Sequence, residues 1–192
     1  MKLYLFVCLL FCFSFYIKAD AQVAENKNLF NRFHSINAIG IVNGSSGTSF
    51  MISSINGFNF RKVFVGAGVG YDNYYYRSVP FFIDGHYDLF GKKNKIQLVG
   101  NAGINLPLKS QNENTGNAAV KYKAGLFYET GFDYRMACKR HAFITGLSYS
   151  FKQVKKELEN NVWNPVVNRI ENLPLKYDYH FQRIVFRVGW EF

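Results

Sequence analysis

Six stretches of this chain alternate large apolar residues with polar or very small ones at a period of two, and a period of two is the signature of a strand. In KYKAGLFYETGFDYR, 121–135, Tyr122, Ala124, Leu126, Tyr128, Thr130, Phe132 and Tyr134 share one face. The other face takes Lys123, Gly125, Phe127, Glu129, Gly131, Asp133 and Arg135. KIQLVGNAGINL (95–106) opposes Ile96, Leu98, Ala102, Ile104 and Leu106 to Gln97, Asn101, Gly103 and Asn105. KVFVGAGVGYD (62–72), VPFFIDGHYDL (79–89), HAFITGLSYSF (141–151) and the terminal RIVFRVGWEF (183–192) repeat the pattern. In 79–89, Phe81, Ile83, Tyr87 and Leu89 oppose Phe82, Asp84, His86 and Asp88. Two further segments, about 33–42 and 48–57, are strand-like, but their alternation is blurred and leaves their faces unassigned.

The connections fall into two classes. GFNFRK (57–62), FGKKNK (90–95) and MACKRH (136–141) are short, basic and free of proline. They alternate with NGSSG (43–47), DNYYYRS (72–78), PLKSQNENTGNAA (107–119) and KQVKKELENNVWNPVVNRIENLP (152–174). Pro80, Pro107, Pro165 and Pro174 all lie in or beside this second class. Short turns at one end and longer loops at the other are what an up-and-down meander produces. About eight strands of ~10 residues fill the chain. Strands this long leave two exposed edges unless the sheet closes, so the expected fold is an all-β, closed, antiparallel up-and-down barrel.

The N-terminus MKLYLFVCLLFCFSFYIKADAQ combines Lys2, an apolar run from Leu3 to Ile17 and the small-x-small sequence Ala19-Asp20-Ala21. This reads as a cleaved secretory signal over 1–21, with a single barrel domain over 22–192. Cys8 and Cys12 fall within the signal, so Cys138 is the one thiol of the expected mature chain. An internal disulfide framework is thereby excluded. The 23 Lys+Arg against 13 Asp+Glu give +10, which suits nucleic acid or anionic lipid alike. No nucleic-acid module accompanies the charge, so nucleic acid is not an expected partner.

Parity alone does not say which face is out. A soluble lipocalin-like carrier turns the apolar face inward, whereas a membrane barrel turns it to lipid. Three features favour lipid. The non-apolar face is rich in glycine and opposite charges, as a narrow filled interior requires. Aromatics gather near strand ends on the apolar face, namely Tyr71, Phe81, Tyr87, Tyr122, Tyr134, Phe143, Phe151, Trp190 and Phe192. The last strand also ends on an aromatic, Phe192.

That closing pattern, Phe186, Val188, Trp190 and Phe192, resembles the C-terminal signal that outer-membrane barrels present to the barrel-assembly machinery. INGFNFRKVFVGAGVGYDNY (55–74), followed by VPFFIDGHYDLFGKKNK (79–95), is similar to the outer-membrane β-barrel domain family of small porin-like, eight-stranded proteins. The resemblance implies an outer-membrane location in a Gram-negative-type cell, with short turns periplasmic and long loops extracellular. It also implies lipid and lipopolysaccharide as surroundings and the assembly machinery as a partner reading the strand that ends at Phe192. It carries over no catalytic residue. The expected role is structural, adhesive or that of a narrow channel, with no catalysis; the alternatives are a lipid A-modifying enzyme and the soluble carrier.

The chemistry-bearing residues give no catalytic, cofactor or metal assignment. Lipid A deacylases share a His-x-Ser arrangement on a strand. None of His34, His86, His141 and His180 has it, and His34 is followed directly by Ser35. Asp84, His86 and Asp88 spread along ~13 Å of strand, too far for one ion. Ion pairing inside the barrel with Arg183, Arg187, Lys123 or Arg135 is the expected use of that face. Gly66, Gly68 and Gly70 lack the spacing and following helix of a nucleotide loop, and instead make room in the interior or relax the strand. QVKKELENNVW (153–163) carries charges at helical spacing and reads as a short helix or a solvated loop. That segment and 107–119 are the expected partner-contacting loops.

Overall fold

The computed structural model describes residues 33–108, 119–138, 141–164 and 169–192. The expected signal segment 1–21, and most of the loop 107–119, lie outside these residues. The described residues form nine antiparallel strands: β1 (Phe33–Gly44), β2 (Gly47–Phe60), β3 (Val63–Asp72), β4 (Ser78–Phe90), β5 (Lys95–Pro107), β6 (Ala119–Lys123), β7 (Gly125–Cys138), β8 (His141–Asn164) and β9 (Arg169–Glu191). Each wall strand pairs with its neighbour along the chain, and β9 returns to pair with β1. At the seam Ile36 faces Glu191 and Ile41 faces Phe186. Phe192 extends the seam through two backbone hydrogen bonds with Ser35, of 2.9 and 3.0 Å. Closure leaves the wall without an open edge, the solution expected from strand length.

β6 and β7 occupy one position in the wall, so the barrel has eight strands. Lys123 pairs with Lys155, but Phe127 pairs with Lys152, so one residue is gained at the break around Ala124. A bulge of this kind inverts side-chain parity. Tyr122, expected outward with Leu126 and Tyr128, therefore packs against an interior cluster instead. A second register shift lies between Asp88 and Phe90. Leu89, expected outward, is the bulged residue, and Phe90 takes the outward position, 71% exposed.

Two connections differ from expectation. NGSSG, grouped with the longer loops, is a two-residue turn in which Gly44 pairs with Gly47, and Gly47 sits at φ 107°. The segment 153–163, expected as a helix or loop, continues β8 and pairs with β9 as far as Asn164 and Arg169. Its charges alternate against complementary ones across the hairpin, with Lys155 opposite Asp178 and Glu157 opposite Lys176. Cross-strand pairing thus accounts for charges that also fit a helical spacing.

The apolar face is outward. Ile39 and Ile83 are 64% and 68% exposed, and Ile52, Leu98, Leu126, Phe132, Leu147, Ile184 and Phe186 join them in the wall's outer band. Aromatics bracket this band. Phe33, Phe58, Phe60, Phe90, Tyr134, Trp190 and Phe192 are exposed toward the short-turn end. Phe50, Phe81, Tyr128 and Tyr149 are exposed toward the other. From Phe143 to Phe151 the chain covers ~27 Å, or about 20 Å along the axis of a barrel tilted ~40°. Among the described residues, no Asp, Glu, Lys or Arg takes an outward position within this band.

Candidate functional site

The interior is packed side chain against side chain, and it divides into apolar and ionic parts. From β1, β2, β3 and β4 come Ile36, Ile55, Phe64 and Phe82, joined by Phe127 and Ile144 in one buried cluster. Gly68 makes this possible, since a Cβ there would stand 2.4 Å from the Phe82 ring. Of the three glycines of 66–70, Gly68 makes the room in the interior that was expected of them.

Facing that cluster, β7, β8 and β9 contribute ion pairs. Arg187 Nη1 donates to Glu129 Oε1 at 2.9 Å and its Nε to Asp133 Oδ1 at 3.1 Å. Glu129 also accepts from Ser148 Oγ at 2.7 Å. Nearer the short turns, Glu191 accepts from Arg135 Nε at 2.5 Å and Nη2 at 2.8 Å, with His34 Nδ1 at 2.8 Å. Charge-assisted, bidentate bonds of this kind are the strongest available to a buried carboxylate.

The strand face Asp84, His86 and Asp88 is paired, but not with the partners expected. His86 Nε2 lies 2.9 Å from Asp84 Oδ2, while Asp88 pairs with Lys95 and accepts from Gln97 Nε2 at 2.6 Å. Arg183, Arg187 and Arg135 take Asp72, Glu129, Asp133 and Glu191 instead. Lys123 is not interior at all, because the break at Ala124 inverts its parity, and at the loop end its Nζ meets Glu157 Oε1 at 2.7 Å. That ammonium's hydrogen bond holds the Glu157 carboxyl below the usual carboxylate range. Among the described residues no three His, Cys, Asp or Glu side chains are placed to hold a metal ion.

At the loop end a plug closes the mouth. Asp72, fully buried, receives Arg183 Nη1 and lies 3.3 Å from Lys152 Nζ. Lys152 also donates to the carbonyls of Tyr74 at 2.9 Å and Tyr76 at 2.6 Å, and Arg183 Nη2 donates to Ser150 Oγ at 2.7 Å. These bonds draw the connection 73–77 inward. Tyr74 is 1% exposed beneath it, its ring 5.4 Å from the Arg183 guanidinium and its hydroxyl accepting from Ser46 N at 2.8 Å. Gly44 permits this seat, because a Cβ there would stand 2.5 Å from the Tyr74 hydroxyl oxygen. Tyr75 is held at φ 52°, a conformation that bulky residues adopt only when their surroundings impose it.

Around the plug, Tyr177, Tyr179 and Phe181 line one face of β9 in parallel stacks, with centroids 6.1 and 6.2 Å apart. Tyr75 and Tyr76 lean against Phe181 and Tyr179, and Lys156 Nζ lies 6.0 Å from the Tyr76 and Tyr122 ring centroids. The run Tyr74-Tyr75-Tyr76 is the sequence signal for this plug, and strand alternation does not reveal it because it lies in a connection. His141 lies tilted against Trp190 with ring centroids 5.6 Å apart and His180 stands beside Asp178 at 3.3 Å, so the four histidines serve four separate settings.

No protein-family model matches the sequence, and no curated protein matches it. Among solved structures, the outer membrane protein AlkL, determined by solid-state NMR in DMPC lipid bilayers, is similar. It is 10% identical, with 90% of this chain and 93% of that chain covered and a TM-score of 0.48.

Proposed function

We propose that the protein is an integral β-barrel of a Gram-negative-type outer membrane, with a structural or adhesive role and no catalysis. The carrying observation is the uncharged outward band of Ile39, Ile83, Leu126, Phe132 and Phe186 between two aromatic levels. Water would penalise that much exposed apolar surface, whereas hydrocarbon accepts it, and the aromatics sit at headgroup depth. The short turns then face the periplasm and the long connections face outward. The extended β8–β9 hairpin is the part presented to the surroundings, including lipopolysaccharide.

The interior favours an anchor over a channel. Arg183, Lys152, Tyr74 and Phe127 fill the section that a solute would cross. In planar bilayers the folded protein should show no steady conductance, while its unheated gel mobility shifts on boiling. Sustained open-channel current would replace the anchor reading with the narrow-channel one. Recovery of the protein from the soluble periplasm would overturn the membrane reading.

The outward side chains of β9 supply the terminal apolar pattern for the assembly machinery. Deleting Phe192 also removes two seam hydrogen bonds to Ser35. Barrel yield in the membrane should fall several-fold, whereas refolding in detergent should fall less; equal losses in both settings would leave only the structural role.

A further inference from the structure

Beyond the seam, one edge of β9 has no neighbour. β1 accompanies β9 from Glu191 only as far as Arg183, opposite Gly44, while β9 runs on to Arg169 with β8 along its other edge. The seam also fixes the direction of the backbone groups. Phe192 exchanges both of its hydrogen bonds with Ser35, and the β8–β9 register holds without a shift from Ala142 and Glu191 to Asn164 and Arg169. Even-numbered residues of β9 therefore turn their N–H and C=O toward the β1 side, and odd-numbered ones toward β8. Next to Arg183 the β1–β2 turn crowds Gln182, whose carbonyl oxygen would stand 2.9 Å from a Cβ at Gly44. Lys176, Asp178 and His180 lie past that turn, and among the described residues no strand takes up their backbone groups. Pro174, which has no N–H, ends the open run on the other side.

An open edge is a template for one more strand, and the side chains along it select which. Lys176 is exposed and forms no ion pair among the described residues, since Glu157, opposite it in the hairpin, is taken by Lys123. Asp178 stays half-exposed beside Gln153 and His180. On the other face Leu175 and Tyr177 are 46% and 41% exposed. This short sequence complements itself. An antiparallel copy centred on Tyr177 sets each Lys176 opposite the other copy's Asp178, each Leu175 opposite Tyr179, and Tyr177 opposite its equivalent. Opposite-charge and aromatic cross-strand pairs are the ones that stabilise a sheet. Centring on Asp178 would set that carboxylate against itself and Lys176 against His180, and centring on Tyr179 would need the crowded Gln182, so one register is favoured. We propose that the open edge of β9 binds the same edge of a second copy, joining two hairpins into one antiparallel sheet. Antiparallel pairing leaves the two barrels at opposite ends of the joined strands, so the copies meet from facing membranes. A second copy is then the partner for the adhesive role given above, and the pairing rests on that reading. An extended segment of another protein is the competing occupant, and the self-complementary charges favour the copy.

The test uses the full chain folded in detergent micelles, which leave two copies free to face one another. Sedimentation should show a concentration-dependent dimer, while heat-modifiable mobility reports the barrel. Lys176→Asp and Asp178→Lys should each weaken the dimer about tenfold, because each turns two cross-strand attractions into repulsions. Mixing the two variants should restore it, since every charge pair across the joint is then again of opposite sign; a hairpin merely loosened by the substitutions would gain nothing from mixing. In a Cys138→Ser background, Tyr177→Cys should give a disulfide-linked dimer on mild oxidation, because a directly opposed pair without mutual hydrogen bonds brings its Cα atoms to about 4.5 Å. Leu175→Cys in the same background should cross-link far less, its equivalents standing well apart in this register. Native protein without heat-modifiable mobility would sink the membrane reading. A folded native barrel that stays monomeric, a dimer untouched by either reversal, or no recovery on mixing would overturn the edge pairing alone. So would cross-linking through Leu175→Cys as readily as through Tyr177→Cys.

Discussion

The two sides of the barrel interior solve the same packing problem with opposite chemistry. On the β1–β3 side the lumen is filled by Ile36, Ile55 and Phe64, while the outer wall there sets Asn37, Ser54 and Asn56 among Ile39, Ile41, Ile52 and Val65. On the β7–β9 side the lumen is filled by Arg187, Glu129, Asp133 and Ser148, while the outer wall is Leu126, Phe132, Leu147 and Phe186. A narrow barrel therefore needs its interior filled and its buried charges paired, and it has no need for a uniformly polar interior. Apolar contact supplies the filling on one side, and mutually paired charges supply it on the other.

Removing one partner from the ionic side should have the largest effect. Arg187→Ala leaves Glu129 and Asp133 buried without their cation, and should cost about 3–5 kcal/mol of unfolding free energy in bilayers. Urea titration in vesicles measures it. Replacing the group together, as Arg187→Met, Glu129→Gln and Asp133→Asn, should recover most of that loss, because no charge is then left unpaired. If the triple variant is as unstable as Arg187→Ala, the charges are more than filling and the comparison fails.

On the apolar side, Ile55→Ala should cost about 3 kcal/mol through lost burial and the cavity left against Phe64 and Phe82. A loss under about 1 kcal/mol would mean that the cluster is loosely packed. Outside the barrel, Phe186→Arg should destabilise the bilayer-inserted form by about 2–4 kcal/mol near the midplane. The smallest effect belongs to the loop end. Glu157 has its carboxyl held below the usual value of 4.5 by Lys123, so it stabilises the β6–β8 pairing above that pH. That contribution disappears as pH falls through the depressed value. Hydrogen exchange across β6 and β8 should quicken in acid, and Glu157→Gln should remove the pH dependence while leaving the barrel wall unchanged.

The same contrast explains what the sequence made legible. Where inward positions are Gln97, Asn101, Glu129 or Arg187, alternation marks both strand and face, and six strands were readable with outward parity correct for Ile83, Leu98, Phe132 and Phe186. In β1 and β2 the inward residues Ile36, Val42, Met51 and Ile55 are as apolar as the outward Ile39, Ile41 and Ile52, so periodicity vanished although the strands are regular. Parity also fails across a bulge, which a period of two cannot see, and Tyr122 and Leu89 were misplaced for that reason. The ionic character of the lumen was legible, but its partners were not. Pairing across strands depends on register and stagger, which set Arg187 against Glu129 and Asp133 and left Asp84 to its own neighbour His86.

Which face of the wall meets lipid is reported most directly by β9. Single cysteines placed in turn at positions 184–190, in a Cys138→Ser background, can carry spin labels in vesicle-folded protein and be tested against an apolar and a polar relaxant. Labels at Ile184, Phe186, Val188 and Trp190 should respond to the apolar relaxant, and those at Val185, Arg187 and Gly189 should respond to neither. Strong response to the polar relaxant at Ile184, Phe186 and Val188 would place that face in water and contradict the membrane barrel.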